Sequence, residues 1–225
     1  MSYMRKTKLS FRRSGTTVER IWRQNLHHGD SFHLSTMRFG EMEMSKWKEL
    51  PGHLIRIPND RFWIIIDEPQ YEQLTDNPLI WGRTIGLYVE AYSPEEWVII
   101  EHVEFRPSEH LESGDPINTF EGVLFNTKTG NTTALEDPME VNSPDEIDRK
   151  YRERARFVRA VLTFMIVSHH PKAMVSKIET TEPLNRQQRR AKDRERDKRV
   201  HYNVEIESDI TVQSLFNEIC QRENA

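Results

Sequence analysis

RTIGLYVEAYSPEEWVIIEHVEF, residues 83–105, is the stretch that decides the fold class of this chain. Apolar, aromatic and β-branched residues lie on both sides of Ser93-Pro94-Glu95-Glu96, a four-residue group with proline at its second position. Proline at that position is typical of a β-turn, and the flanking composition is typical of strands. We therefore predict an antiparallel hairpin formed by Arg83–Tyr92 and Trp97–Phe105.

Two more hairpins are predicted, one on each side of the first. Their strand pairs are His53–Ile57 with Arg61–Asp67, and Phe120–Asn126 with Thr132–Leu135. The turns are Pro58-Asn59-Asp60 and a loop in which Gly130 can take the left-handed conformation of a hairpin. Three successive hairpins predict an antiparallel meander of about six strands. Phe32–Leu34 is read as the start of an edge strand.

A long helix follows the predicted meander. Ser143 can cap it, Pro144 suits the first helical position, and Glu146 can complete a capping box. Apolar residues then recur at helical spacing, at Ile147, Tyr151, Ala155, Val158, Leu162 and Met165. This stripe predicts a helix that packs on the sheet and ends near His169-His170, before Pro171.

The remaining elements complete one predicted α+β domain over residues 1–225. A first helix is expected at Thr17–His27, whereas Met37–Leu50 fits neither period. The C-terminal elements are a strand at Lys172–Thr180, a helix at Asn185–Arg199, a strand at Val200–Glu207 and a short helix capped by Asp209 or Thr211. The predicted architecture is thus a six-stranded meander packed by a long amphipathic helix, with a C-terminal strand-helix-strand-helix extension. Residues 1–15 are expected to form a flexible basic arm.

Composition narrows the class of protein. The 225 residues are 36% hydrophobic and 30% charged, and five Trp and ten Phe indicate a packed core rather than a disordered chain. Cys220 is the single cysteine, so no intrachain disulfide can form. The longest apolar run, Phe62–Ile66, is far below the ~20 residues that span a bilayer, and residues 1–13 lack the apolar run of a signal peptide. The expected location is cytoplasmic, in the host cell if the protein is viral.

Charge is distributed unevenly along the chain. Residues 186–199 carry eight bases and three acids, and the first thirteen residues carry five bases and no acid. Such segregation indicates a polar partner, or basic and acidic segments that pair within the chain. The residues predicted to bind a partner are Arg186, Arg189, Arg190, Arg194, Lys198, Arg12 and Arg13. The alternative is a self-paired surface helix, in which Asp193, Glu195 and Asp197 neutralise the neighbouring arginines.

A resemblance rests on this same region. Pro183-Leu184-Asn185-Arg186-Gln187-Gln188-Arg189-Arg190, followed by the strand Val200–Ile206, resembles uncharacterised small proteins encoded by tailed bacteriophages. The resemblance covers about a quarter of the chain. It implies a viral origin, and it implies no mechanism.

Candidate catalytic and metal-binding residues are sparse. A metal-dependent nuclease would need carboxylates on neighbouring strands, and the best match is Asp67 with Glu90 or Glu101, although no Glu-x-Lys motif occurs. The pairs His27-His28 and His169-His170 lack zinc-ligand spacing and suit the C-terminal ends of helices. No glycine-rich nucleotide loop is present. We predict no cofactor and no metal.

Three functional hypotheses follow. The first is a non-enzymatic interaction protein, plausibly phage-encoded, that binds a host or viral macromolecule through its basic surfaces; a protein partner is favoured, with nucleic acid as the alternative. The second is the metal-dependent nuclease, and the third is a structural virion component. Neither a membrane nor a particular oligomeric state is indicated.

Overall fold

A computed structural model describes residues 16–46, 54–55, 59–73, 79–108, 115–135, 144–178 and 200–223. Four helices lie in this part of the chain: α1 Thr16–Asn25, α2 Thr36–Met44, α3 Pro144–Val167 and α4 Val212–Glu223. The strands are β1 Asp30–Ser35, β2 Arg61–Asp67, β3 Ile80–Ala91, β4 Glu96–Pro107, β5 Ile117–Asn126, β6 Thr132–Ala134, β7 Ala173–Lys177 and β8 His201–Ile206. The predicted α+β class is confirmed.

All eight strands form one mixed sheet, in the order β6-β5-β4-β3-β2-β1-β8-β7. Strands β2 to β6 are an antiparallel meander in chain order, which confirms the predicted hairpins β3–β4 and β5–β6. Strand β1 is parallel to both of its neighbours, β2 and β8, and β7 pairs antiparallel with β8. The predicted six-stranded antiparallel meander is therefore corrected to a mixed eight-stranded sheet.

Two strand assignments were wrong for the same reason. Strand β2 has both edges occupied, with Ile64 opposite Phe32 of β1 on one side and Leu87 of β3 on the other, so it cannot pair with His53–Ile57. Strand β1 lies inside the sheet and is not an edge strand. Parallel strands are joined by a long crossover connection, which between β1 and β2 includes α2. Such a connection has no short turn motif in the sequence from which the pairing could be predicted.

The C-terminal elements belong to the main sheet rather than to an extension. The predicted strands Lys172–Thr180 and Val200–Glu207 are confirmed as β7 and β8. Because β8 pairs with β1, both strands belong to the main sheet. Helix α4 begins after Thr211, whose side chain accepts the Ser214 N–H at 3.1 Å. The predicted helix Asn185–Arg199 and the predicted arm 1–15 lie outside the described residues.

Helices α2, α3 and α4 cover one face of the sheet, here called the inner face. The predicted stripe of α3 is confirmed where its side chains are described, since Val158, Leu162 and Met165 are all buried. They join a core that includes Phe32 and Ile64. Burial of this apolar stripe, rather than intrinsic propensity, is what stabilises a long helix in a globular protein.

The opposite, outer face is divided into an apolar and a polar half. Helix α1 packs Val18 and Trp22 over β2, β3 and β4, and the Trp22 ring meets the Trp63 ring edge-on at 4.6 Å. Towards β1 and β8 the same face carries His33 and, directly opposite it in register, Asn203. The polar side chains of the candidate functional site lie on this polar half of the outer face. No helix in the described part of the chain is long and apolar enough to cross a membrane.

Candidate functional site

Three polar side chains from three adjacent strands meet on the polar half of the outer face. The Nδ1 atom of His33 lies 3.0 Å from Oδ1 of Asp67, and its Nε2 atom lies 3.0 Å from Nδ1 of His201. The His33 side chain keeps 21% of its exposure and that of Asp67 keeps 48%. This hydrogen-bonded chain, Asp67–His33–His201, is here called the histidine relay.

Strand register places the relay. Ser35 stands opposite Asp67 in the parallel pair β1–β2, and Ser31 stands opposite His201 in the pair β1–β8. His33 lies midway along β1, so it reaches one neighbour on each side. Since side chains alternate across a strand, the burial of Phe32 and Leu34 in the inner core turns His33 outward.

The backbone just after Asp67 is held in an unusual conformation. Glu68 has a φ of 51°, in the left-handed region that residues other than glycine seldom adopt. The Thr36 hydroxyl, at the start of α2, lies 3.0 Å from the Asp67 carbonyl oxygen and 2.9 Å from that of Glu68. These contacts hold the end of β2 and so position the Asp67 carboxylate beside His33.

The chemistry of the three side chains fixes the direction of both hydrogen bonds. A carboxylate oxygen accepts hydrogen bonds only, so Nδ1–H of His33 donates to Asp67. The Nε2 atom of His33 then accepts from Nδ1–H of His201. One hydrogen-bonded chain therefore joins three adjacent strands.

The predicted basic segment is attached beside this relay. The Ile178 N–H donates to the His201 carbonyl at 2.8 Å, and the Ser31 N–H donates to the Val200 carbonyl at 2.8 Å. Ile178 and Val200, the two described residues that flank 179–199, are therefore both held at the sheet beside His201. Arg186, Arg189, Arg190, Arg194 and Lys198 fall in this stretch, and they lie outside the described residues together with Arg12 and Arg13. Their role in binding stays a prediction.

The carboxylates predicted for a nuclease do not share a site. Glu90 accepts hydrogen bonds from Arg61 at 3.0 Å and from the Tyr88 hydroxyl at 2.8 Å, at the opposite end of β2 from Asp67. Glu101 accepts from Thr84 at 2.8 Å on the inner face. The prediction that these residues assemble around a metal is wrong. Among the described residues no group of three or more His, Cys, Asp or Glu side chains could hold a metal ion.

The alternation of side chains in the β3–β4 hairpin explains why Glu90 and Glu101 lie on opposite faces of the sheet. Glu90 stands opposite Val98, so it shares a face with Val98 and Ile100 of the outer cluster. Glu101 is one residue further along the strand than Ile100 and must face the other way. His33 and His201 were overlooked because they are 168 residues apart, although each alternates with apolar residues in its strand.

A second polar cluster lies on the inner face, between α2, α3 and the sheet. Glu43 is buried and pairs with Arg156 at 2.9 Å, and burial raises the pKa of its carboxyl group. Burial, reinforced by the negative charge of Glu43, raises the pKa of Glu101 to about 8. A raised pKa favours the protonated, uncharged form of the Glu101 side chain in the folded protein. Arg156 contacts Glu72 as well, at 3.5 Å.

No family model matches this chain, and neither does any curated protein or any solved structure. A functional assignment therefore rests on three features of the chain itself. These are the chemistry of the relay, the charge of segment 179–199 and the exposed strand β7.

Proposed function

We propose that this chain is an interaction protein that binds a partner protein through one corner of its sheet. The corner comprises the histidine relay and strand β7. One observation carries the proposal: Ile178 and Val200, which flank the segment 179–199, are both hydrogen-bonded beside the relay, and residues 186–199 carry eight bases and three acids.

Apolar exposure at the same corner favours a protein partner over nucleic acid. Met174, which lies on the same face as the relay, keeps 58% of its exposure, and Ile178, directly after β7, keeps 40%. Methionine and arginine are enriched in protein interfaces, whereas phosphate contacts rest on cationic and hydrogen-bonding groups. In the described part of the chain, β7 lies at one edge of the sheet. The side of β7 that does not pair with β8 can therefore accept a strand from a partner.

Charge defines the expected partner surface. A stretch dominated by arginine pairs best with carboxylates, which it can bind in a bidentate manner. The partner is therefore expected to present an acidic surface with an apolar strip. Its source in a host or a virus, and the phage origin of this chain, stay predictions.

The decisive experiment compares two variants that each lose four positive charges. In the first, Arg186, Arg190, Arg194 and Lys198 are replaced by Gln. In the matched control, the exposed residues Arg20, Arg23, Lys46 and Lys128 are replaced by Gln at sites on other parts of the molecule. The tagged proteins are used for affinity purification from a host lysate, with and without nuclease treatment.

We expect wild type and control to capture the same proteins after nuclease treatment and the segment variant to lose them. Equal capture by both variants would contradict the proposal. If nuclease abolishes capture, the partner is nucleic acid instead. In that case four to six phosphate contacts would make log K fall with log[salt] at a slope of roughly −4 to −5.

A further inference from the structure

We propose that the partner contributes an extended strand that pairs antiparallel with the free edge of β7 and places an acidic side chain opposite Lys177. This inference rests on the proposed function, because it specifies how a partner occupies the corner formed by the relay and β7. Every residue from Met174 to Ile178 is exposed, so both faces of this stretch are accessible. In the described part of the chain, β7 pairs with β8 alone.

The backbone groups that point to the free edge belong to Val175 and Lys177. The Ile178 N–H donates to the His201 carbonyl at 2.8 Å, so the backbone of Ile178 points toward β8. In an antiparallel pair every second residue has this orientation, and the residues between them point the other way. Ala173 follows the same alternation, since its N–H donates to a carbonyl of the preceding turn rather than to β8. The edge therefore presents two N–H and two C=O groups.

Another extended chain is the chemical class of ligand that matches this edge. A row of unpaired N–H and C=O groups is complemented by the backbone of a further strand, and a strand opposite Val175 and Lys177 would form four backbone hydrogen bonds. Antiparallel pairing is slightly more stable per residue than parallel pairing. The partner strand is therefore expected to run antiparallel to β7.

The exposed side chains of β7 specify the sequence of that strand. Lys177 forms no ion pair with a described residue, so an acidic side chain directly opposite it would complete a cross-strand charge pair. Met174 and Ile178 on the outer face keep 58% and 40% of their exposure, and Val175 on the inner face keeps 39%. Apolar side chains opposite these three positions would cover them. From the position opposite Ile178 to that opposite Met174, the partner should read apolar, acidic, any residue, apolar, apolar.

The probe is the acetylated and amidated peptide Thr-Leu-Glu-Thr-Val-Leu-Thr, which follows this pattern. Its Glu and its Val would stand opposite Lys177 and Val175 and donate their N–H groups to β7. Amide hydrogen exchange of the full chain, followed by NMR, measures the pairing. We expect a Kd of about 1 mM or tighter, so peptide at about ten times the Kd should slow exchange of the Val175 and Lys177 amides about tenfold. N-methylation of the peptide's Glu and Val should abolish this protection, whereas N-methylation of its two Leu should not.

Two substitutions in β7 test the backbone and the charge separately. Val175→Pro removes an N–H that points away from β8, and Val175→Thr is the matched control that keeps it. Both should be folded by circular dichroism, and the proline variant alone should lose peptide binding. Lys177→Glu should weaken binding about fivefold, and a peptide with Lys in place of Glu should restore it.

The proposal is overturned if the Val175 and Lys177 amides are already protected in the dilute free chain, because another segment of the chain would then cover the edge. Protection that rises with protein concentration in the absence of peptide would assign the edge to a second copy instead. Equal binding of the peptide methylated at Glu and Val would also overturn it. Capture from a host lysate separates the two proposals. If Val175→Pro captures the partner normally while the segment variant does not, the binding corner stands and the added strand falls.

Discussion

His33 on β1 and His201 on β8 are 168 residues apart in the chain, yet Nε2 of one lies 3.0 Å from Nδ1 of the other. The contact exists because β8 inserts beside β1 in parallel register. It also ties the C-terminal strand to the N-terminal one at the attachment point of the basic segment. A substitution at either histidine is therefore expected to change both the free energy of unfolding and the proposed binding corner.

The two histidines should show a measurable coupling energy. We expect a double-mutant cycle with His33→Ala and His201→Ala to give a coupling of about 0.5–1.5 kcal/mol in the free energy of unfolding. Either substitution alone already removes the half-buried hydrogen bond between the two rings, so the second substitution costs less. Urea denaturation measures it. The same cycle between His33→Ala and His27→Ala, an exposed site, should be additive within about 0.5 kcal/mol. Additivity in both cycles would show that the relay contributes nothing.

Arg38 should be among the most sensitive positions in the fold. Its guanidinium is buried and donates to the carbonyl oxygens of Ile206, Glu207 and Ile210 at 3.2, 2.9 and 2.7 Å. Arg38→Met removes these donors and leaves buried acceptors unpaired, so we expect a loss of about 3–5 kcal/mol in urea denaturation. Arg23→Met, at an exposed ion pair, should cost less than about 1 kcal/mol.

Glu101 should make the folded state less stable as pH rises. Its pKa is about 8 in the folded protein against an ordinary value of 4.5, so between these values the folded chain holds a proton that the unfolded chain has released. The free energy of unfolding then falls with pH, by about 1.4 kcal/mol per unit for one proton. Glu101→Gln should remove this fall in denaturation curves recorded from pH 5 to 9.

Thr84 offers an independent check on the same proton. Its hydroxyl donates to Glu101 at 2.8 Å and thereby lowers the pKa of that carboxyl group. Thr84→Val should raise the pKa of Glu101 and extend the loss of stability to higher pH. A pH dependence that is identical in wild type, Glu101→Gln and Thr84→Val would rule out Glu101 as the source.

Two glycines should respond to alanine in opposite directions. A Cβ atom at Gly86 would lie 2.7 Å from the Ile64 carbonyl oxygen, so Gly86→Ala should destabilise the protein by about 1–3 kcal/mol. Gly40 lies within α2, and in the described part of the chain no heavy atom beyond the backbone of its own helix and its chain neighbours is within 4 Å of a Cβ placed there. Gly40→Ala should therefore stabilise by about 0.5–1 kcal/mol. Thermal unfolding of both variants compares them directly.

Elements that depend on nearby residues were predictable. The β3–β4 hairpin follows from the turn at Ser93–Glu96 and the residues around it, and α3 begins at Pro144 as its start motif indicates. The predicted strands β7 and β8 were also found. Helix α2 could not be predicted because its apolar residues show only weak helical periodicity; burial of Phe39 and Met42 against the inner core stabilises it.

The chain by itself determined the local hairpins, the long helix and the alternation that turns His33 away from Phe32 and Leu34, because hydrogen bonds and side-chain period act within a few residues. Only the tertiary structure decided that β1 lies between β2 and β8, that Asp67 joins His33 rather than Glu90, and that Glu101 faces Glu43. Those neighbours meet across long stretches of chain. They are selected by which arrangement buries the most apolar surface on both faces of one sheet, and no short motif records that choice.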